Sequence, residues 1–477
     1  MKKNIFIILL IFLPLVAKAD DSGKCGDNVN YSYDDATSTL TISGIGTMHN
    51  YSYKNTTTIP WNSYKEKIRS VIILDGVTNL GDYSFYVCDN LISIIIPESV
   101  TSLGECSLCG CKSLTYVNIP NNVTSIGIGA FMNCWALTEL SFGNSITEIG
   151  DWAFSQCYSL ESLTLPNSLR IIGSNAFGSC NNLTSIIIPD GVTTINAGAF
   201  QDCDGLMTIT LPQSVTYIGA LAFQGCRNLT SIDIPKGVTS IEEQQFYFCN
   251  NLKTISIPQS VTYIGKNAFS NCYSLTSIDL PNSLFTIDNG AFNMCTGLLS
   301  VNIPNSVVSV GENAFYCCAD LTSLIIGNSV SKIGRWAFAL CSKLSTVYCL
   351  SEDIPFADKD AFHYSSYQSA TLYVPFKSLE DYKNTIPWNE FGIIETLNNS
   401  TDISNTPNKS LLIFSCEGKI RISGVEDGTS VGLYTVSGQM LGATTACGHQ
   451  VSLCTTYKKG DVLIVRIGEK SMKVVLQ

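Results

Sequence analysis

Apolar and polar positions recur along most of this chain with a period of 23 residues. Cys88, Cys111, Cys134, Cys157, Cys180, Cys203, Cys226, Cys249, Cys272, Cys295, Cys318 and Cys341 stand 23 residues apart, and each is followed three residues later by a leucine, from Leu91 to Leu344. Phenylalanine precedes most of them by three, from Phe131 to Phe338. The unit reads L-x-x-I-x-I-P-x-x-V-x-x-I-G-x-x-A-F-x-x-C. In Leu183-Thr-Ser-Ile186-Ile-Ile188 the alternation of a strand sends Ile186 and Ile188 to one side and their neighbours to the other. Pro189 ends that strand because it cannot donate to a ladder, and Asp190-Gly191 turns the chain. Val192 and Ile195 then point back inward. Ala199, Phe200 and Cys203 have the spacing of one turn of α- or 3-10 helix, and Gly127, Gly150 and Gly173 mark a tight corner before it.

A fixed period in the 20–29-residue range with this L-x-x-L-x-L core is the signature of a leucine-rich-repeat solenoid. Its expected form is a parallel β-sheet on one side and short helical or 3-10 turns on the convex side. One unit cannot bury enough apolar surface to order itself, so units must stack and both ends must be capped. Gly143 and Gly327 replace the proline, and Asn196, Glu242 and Asp288 replace the corner glycine.

The repeats resemble the BspA-like bacterial leucine-rich repeats, whose copies read I-P-x-S-V-T-x-I-G-x-x-A-F-x-x-C-x-x-L; residues Ile257 to Phe269 match nearly position for position. Cys25-Gly26, Leu40 to Gly44 and Pro60-Trp61 resemble that family's N-terminal β cap, assigned to residues 20–67. Thr371 to Pro375 with Tyr382, Trp388, Phe391 and Ile394 resemble its closing coil, so the solenoid is assigned to residues 68–395. The resemblance implies surface display and adhesion to host proteins, other bacteria or matrix.

The flanks differ in character. Lys2 and Lys3 before the apolar run Ile5 to Val16, then Ala17-Lys18-Ala19, have the layout of a secretory signal peptide over residues 1–19. The run is shorter than the ~20 residues of a comfortable membrane span, and no membrane-spanning segment is expected after it. Residues 396–410 have linker composition. Beyond them the period is lost, and alternating runs punctuated by Gly424, Gly438 and Gly468 predict a small all-β sandwich over 411–477. Leu433 to Gln439 and Val462 to Gly468 resemble the C-terminal sorting domain of type IX secretion. The protein is therefore expected to be secreted and displayed at the cell surface.

Composition narrows the chemistry. Charged residues make up 14% of the 477-residue chain against a usual ~25%, the net charge is −11, and no basic stripe suggests nucleic acid. The histidines are His49, His363 and His449, none beside a nucleophile motif, and neither H-E-x-x-H nor G-x-S-x-G occurs. No enzyme activity, cofactor or metal is expected; a glycan- or peptide-hydrolysing enzyme on the repeat scaffold is the alternative. Cys106-Ser-Leu-Cys109-Gly-Cys111 resembles half of a zinc site but has no second pair. The periodic cysteines read as a column of small apolar residues. Bridges between adjacent coils are the competing reading, and off-period Cys447 and Cys454 are better placed for one.

The outward strand positions are the candidate ligand surface. Ten of twelve third slots carry Ser or Thr. The expected binding residues on a concave strand face are Tyr116, Asn118, Glu139, Ser162, Ser185, Thr208, Ser231, Asp233, Thr254, Ser277, Asp279, Ser300, Asn302 and Tyr348. Thr and Ser also simply suit a solvated pleat, but a polar sheet with scattered aromatics offers a platform to an extended host or bacterial surface protein or glycan.

Overall fold

The computed structural model describes residues 20–397 and, nearer the C-terminus, residues 412–416, 419–423, 425, 428–435, 439–446, 450–454, 462–468 and 470–475. The expected signal peptide, most of the expected linker, Cys447 and the side chain of Cys454 lie outside them. The chain divides into two units, Met1–Cys226 and Arg227–Gln477.

The first unit opens with three antiparallel strands, Asp21–Lys24, Val29–Asp34 and Thr39–Gly44. Val29, Leu40 and Ile42 are buried in this cap. Thr39–Gly44 then pairs in parallel with Ser70–Ile73, which pairs with Ser93–Ile95. The cap thus supplies a hydrogen-bonded edge on which the first coil is laid, so that edge is never open. Trp61 seals the same end: its indole N–H donates to the Ser84 carbonyl at 2.9 Å and its ring stacks on Phe85 at 5.5 Å.

Most coils of this unit contribute a three-residue strand, and Ser162–Thr164, Ser185–Ile187 and Thr208–Thr210 pair in register with the equivalent residues 23 positions on. A second ladder, which the sequence pattern does not reveal, is built from two-residue strands such as Glu148–Ile149, Ile171–Ile172 and Thr194–Ile195. Between the two ladders lies the core. Phe131, Phe154, Phe177, Phe200 and Phe223 form a stack of near-parallel rings with centroids 5.1–5.8 Å apart. A stack of rings held at one spacing fixes the register of every coil on the next, because a slipped coil would leave its ring facing a gap.

The remaining side carries the expected short turns, as single turns and not as helices. Here the coil runs through single i→i+3 turns, as from Gln201 N–H to the Gly198 carbonyl at 2.8 Å. The intervening N–H groups reach the next coil instead, as from Phe177 to Ala199 at 2.9 Å and Ser179 to Gln201 at 2.7 Å. Left-handed residues such as Asn175, Ser179 and Asp202 break each turn before it can wind into a helix. The corner glycines serve close approach, not an unusual φ. A Cβ on Gly127 would lie 2.6 Å from the Gly104 carbonyl carbon, and one on Gly173 2.6 Å from the Asp151 nitrogen.

The second unit repeats this plan. Phe246, Phe269, Phe292, Phe315, Phe338 and Phe362 stack at 5.0–5.4 Å. Its array ends in Thr346–Cys349, Thr371–Val374 and Ile393–Thr396, paired in parallel. A short helix, Leu379–Lys383, lies between the last two strands. Trp388 closes this end as Trp61 closes the other: its indole donates to the Pro355 carbonyl at 3.1 Å, and its ring meets Phe362 edge-on at 5.7 Å. The C-terminal strands form two antiparallel sheets, one of three strands and one of four. They share a cluster that includes Ile422, Val451 and Leu453 from one sheet and Val431, Leu433, Leu463 and Val465 from the other. This is the small β domain expected from the alternating runs. Among the described residues no helix is long and apolar enough to cross a membrane.

Candidate functional site

The periodic cysteines were the most conspicuous chemistry in the sequence, and the structure gives them a structural task. They are buried free thiols. Their thiols donate to backbone carbonyls of the preceding coil: Cys157 to Phe131 at 3.3 Å, Cys203 to Phe177 at 3.0 Å and Cys295 to Phe269 at 3.1 Å. A weak donor that also packs as a small apolar group suits this slot. The same carbonyls also accept a backbone N–H, as Phe131 does from Cys134 at 3.2 Å, so the thiol is a second donor to each.

Burial pushes the thiols of Cys88, Cys134, Cys180, Cys295 and Cys341 up to about 12 from an ordinary value of 9.0. Unfolded thiols release their protons near pH 9 while the folded ones hold theirs, so unfolding releases protons. Stability is complete below about pH 9 and declines as pH rises toward 12, by up to about 1.4 kcal/mol per pH unit for each thiol. The melting temperature, followed by circular dichroism, is expected to fall steeply above pH 9. An unchanged melting temperature between pH 8 and about pH 10.5 would contradict burial of these thiols.

The outward slots of the strands are solvent-facing over most of their length. In the first unit Tyr116, Asn118 and Glu139 are exposed on Tyr116–Asn118 and Glu139–Ser141, with Tyr116 opposite Glu139. Asn118 accepts a hydrogen bond from Ser141 at 2.6 Å. Ser162, Ser185 and Thr208 are exposed and lie side by side on three successive strands. In the second unit Ser231, Asp233 and Thr254 are exposed on paired strands. Asp279 is exposed and Ser277 half-buried, but their segment joins no strand ladder. Nothing in its sequence sets that coil apart. Ser300 and Asn302 are half-buried on Ser300–Ile303. Within each unit the face is therefore a set of shorter ladders, not one unbroken sheet.

Tyr348 departs from the expectation. It is only 7% exposed and stacks on Tyr373 at 5.0 Å, with the ring planes 14° apart. The closing coil presents an aromatic ring in this slot, and the two rings cover each other. Tyr348 is part of the packing at this end, with little of its ring left exposed.

A shallow groove runs along Ser162–Thr164 and Ser185–Ile187, lined also by Asn167 and Pro189. Its floor carries Ile187, which is 70% exposed. The sequence reading passed over Ile187, although alternation in Leu183 to Ile188 places it outward. An apolar residue in a slot that most coils fill with polar groups is the signal that could have found it. Ile95 occupies the same slot and is also exposed.

No triad is assembled from the described histidines. His49 lies 3.6 Å from Asp27, and His363 packs against the ring of Tyr364. His449 lies outside the described residues. Among the described residues no group of three or more metal-ligating side chains converges.

Parallel coils with a ring-stacked core and an outward polar strand face define a leucine-rich-repeat scaffold. The chain belongs to the BspA-type leucine-rich repeat family, whose model matches residues 57–184, 170–292 and 262–384. Among solved structures, a leucine-rich repeat protein from Bacteroides ovatus is 23% identical, covers 79% of this chain and 100% of its own, and superposes with a TM-score of 0.61. A leucine-rich repeat protein from Eubacterium ventriosum is 24% identical over 72% of this chain and 95% of its own, with a TM-score of 0.47. A leucine-rich cell surface protein from Faecalibacterium prausnitzii is 25% identical over 69% of this chain and 94% of its own, with a TM-score of 0.42. No curated protein matches the sequence.

Proposed function

We propose that this is a secreted, cell-surface binding protein that uses the outward face of its repeat strands to hold a surface protein or glycan of a host or another bacterium. The observation that carries this reading is the groove across Ser162–Thr164 and Ser185–Ile187, where aligned hydroxyls flank the exposed Ile187. Hydroxyls at the spacing of successive strands can hydrogen-bond a repeating ligand, and an exposed apolar side chain supplies area to desolvate. The scaffold is preorganised by its ring stack, so little ordering cost is charged to binding. The test is a screen of the full chain against arrays of glycans and of host and bacterial surface proteins. Retention of at least one member, competed by an excess of that member in solution, supports the reading; retention of none contradicts it.

The C-terminal β domain is proposed to serve export or anchoring and not ligand binding, on the strength of its lost period and its separate apolar cluster. A chain ending near Asn399 is expected to keep its ligand and lose surface display, as read by cell fractionation. Unchanged display would remove the export role, and lost binding by a folded truncation would move the ligand site into this domain.

A further inference from the structure

Cys106 and Cys109 are off the 23-residue period and do not belong to the buried thiol column. They occupy the two ends of the i→i+3 turn that every neighbouring coil also makes, with the Cys109 N–H donating to the Cys106 carbonyl at 3.2 Å. The equivalent pairs in the following coils are Gly129 and Met132, then Trp152 and Ser155. A turn closed in this way brings its end Cα atoms within about 7 Å, inside the range that a disulfide can span. Both are buried free thiols. Gly129 stands opposite in the next coil, where a Cβ would lie 3.1 Å from the Cys106 sulfur, so glycine leaves that sulfur room. Cys111 takes no part, since its thiol is turned to the Phe85 carbonyl at 3.3 Å.

We propose that Cys106 and Cys109 form a redox-active dithiol that closes to a disulfide within the turn by exchange with a small-molecule disulfide. Cys106 is the attacking group: it is 8% exposed, against 3% for Cys109 and 0% for Cys111. The neighbouring Cys109 thiol holds Cys106 below the ordinary range, while Cys106 and burial hold Cys109 above it. With oxidised glutathione, the Cys106 thiolate attacks one sulfur, forms a mixed disulfide and releases one glutathione thiolate. Cys109 then gives up its proton to solvent and attacks the Cys106 sulfur, releasing the second glutathione. Two thiols are oxidised to one disulfide and one glutathione disulfide is reduced to two thiols.

The test incubates the folded full chain with oxidised glutathione, quenches with acid, alkylates in denaturant and locates the modifications by tandem mass spectrometry. The wild type is expected to lose two hydrogens between Cys106 and Cys109 and take no label there, while Cys111 and the periodic cysteines label fully. Cys109→Ser is expected to stop at a glutathione adduct on Cys106, formed at least tenfold faster than any on Cys180. Cys106→Ser is expected to form neither product. Full alkylation of both residues in the oxidised wild type, or a bridge from either one to Cys111 or Cys134, would overturn the proposal. The wild-type arm decides it even where a variant fails to fold, as checked by circular dichroism.

Discussion

Replacing Phe177 by alanine is expected to lower folding stability by about 3–5 kcal/mol. The ring is fully buried and stacks on Phe154 and on Phe200, at 5.5 Å and 8° between planes in each case. Its removal leaves a slot between two flat rings. Those rings cannot close on it, because the coils that carry them are tied by Phe154 N–H to the Ala176 carbonyl at 2.8 Å and Phe177 N–H to the Ala199 carbonyl at 2.9 Å. The cavity term therefore persists on top of the lost transfer energy, and nearest-neighbour coupling passes the defect to both adjoining coils. Ile128→Arg, at an exposed apolar side chain on the turn side, should stay within about 0.5 kcal/mol of the parent. Denaturant titration followed by circular dichroism measures both. A loss below about 1 kcal/mol for Phe177→Ala would mean that the ring stack does not set the register.

The parts of this fold that could be read from the sequence are those in which one residue type answers one physical demand in every coil. Buried leucines, stacked phenylalanines and the proline that ends most strands are nearly of this kind, and the caps were legible from Trp61 and Trp388. The second ladder was not, because a two-residue strand such as Ile171–Ile172 is too short to show alternation. The spacing of Ala199, Phe200 and Cys203 announced a turn of α- or 3-10 type, and the chain makes single i→i+3 turns that do not continue into a helix. The left-handed positions that prevent a helix hold Asn175, Ser179 and Asp202 in some coils and Gly198 and Gly225 in others, so no constant residue type announces them. On the candidate face, alternation predicted which side chains point outward, and it did so for Ser162, Ser185 and Thr208. It could not predict Tyr348, because the ring that covers it, Tyr373, belongs to the closing coil and stands 25 residues on, off the period.

Replacing Ser185 by arginine is expected to weaken ligand binding at least tenfold, about 1.4 kcal/mol, without loss of stability. Ser185 is exposed and lies in register between Ser162 and Thr208. A long cationic side chain there fills the groove beside Ile187 and displaces hydrogen-bond partners on both neighbouring strands. Its own charge stays solvated, so the fold is spared. Ile187→Asp should act in the same direction by placing a charge where apolar area is to be desolvated. The most direct measurement of whether the strand face holds the ligand is the affinity, by calorimetry, of three forms of the full chain for whichever partner the screen retains. Wild type and Ile128→Arg should bind equally and Ser185→Arg at least tenfold more weakly; equal binding by all three, or a loss only in Ile128→Arg, would contradict a ligand site on that face.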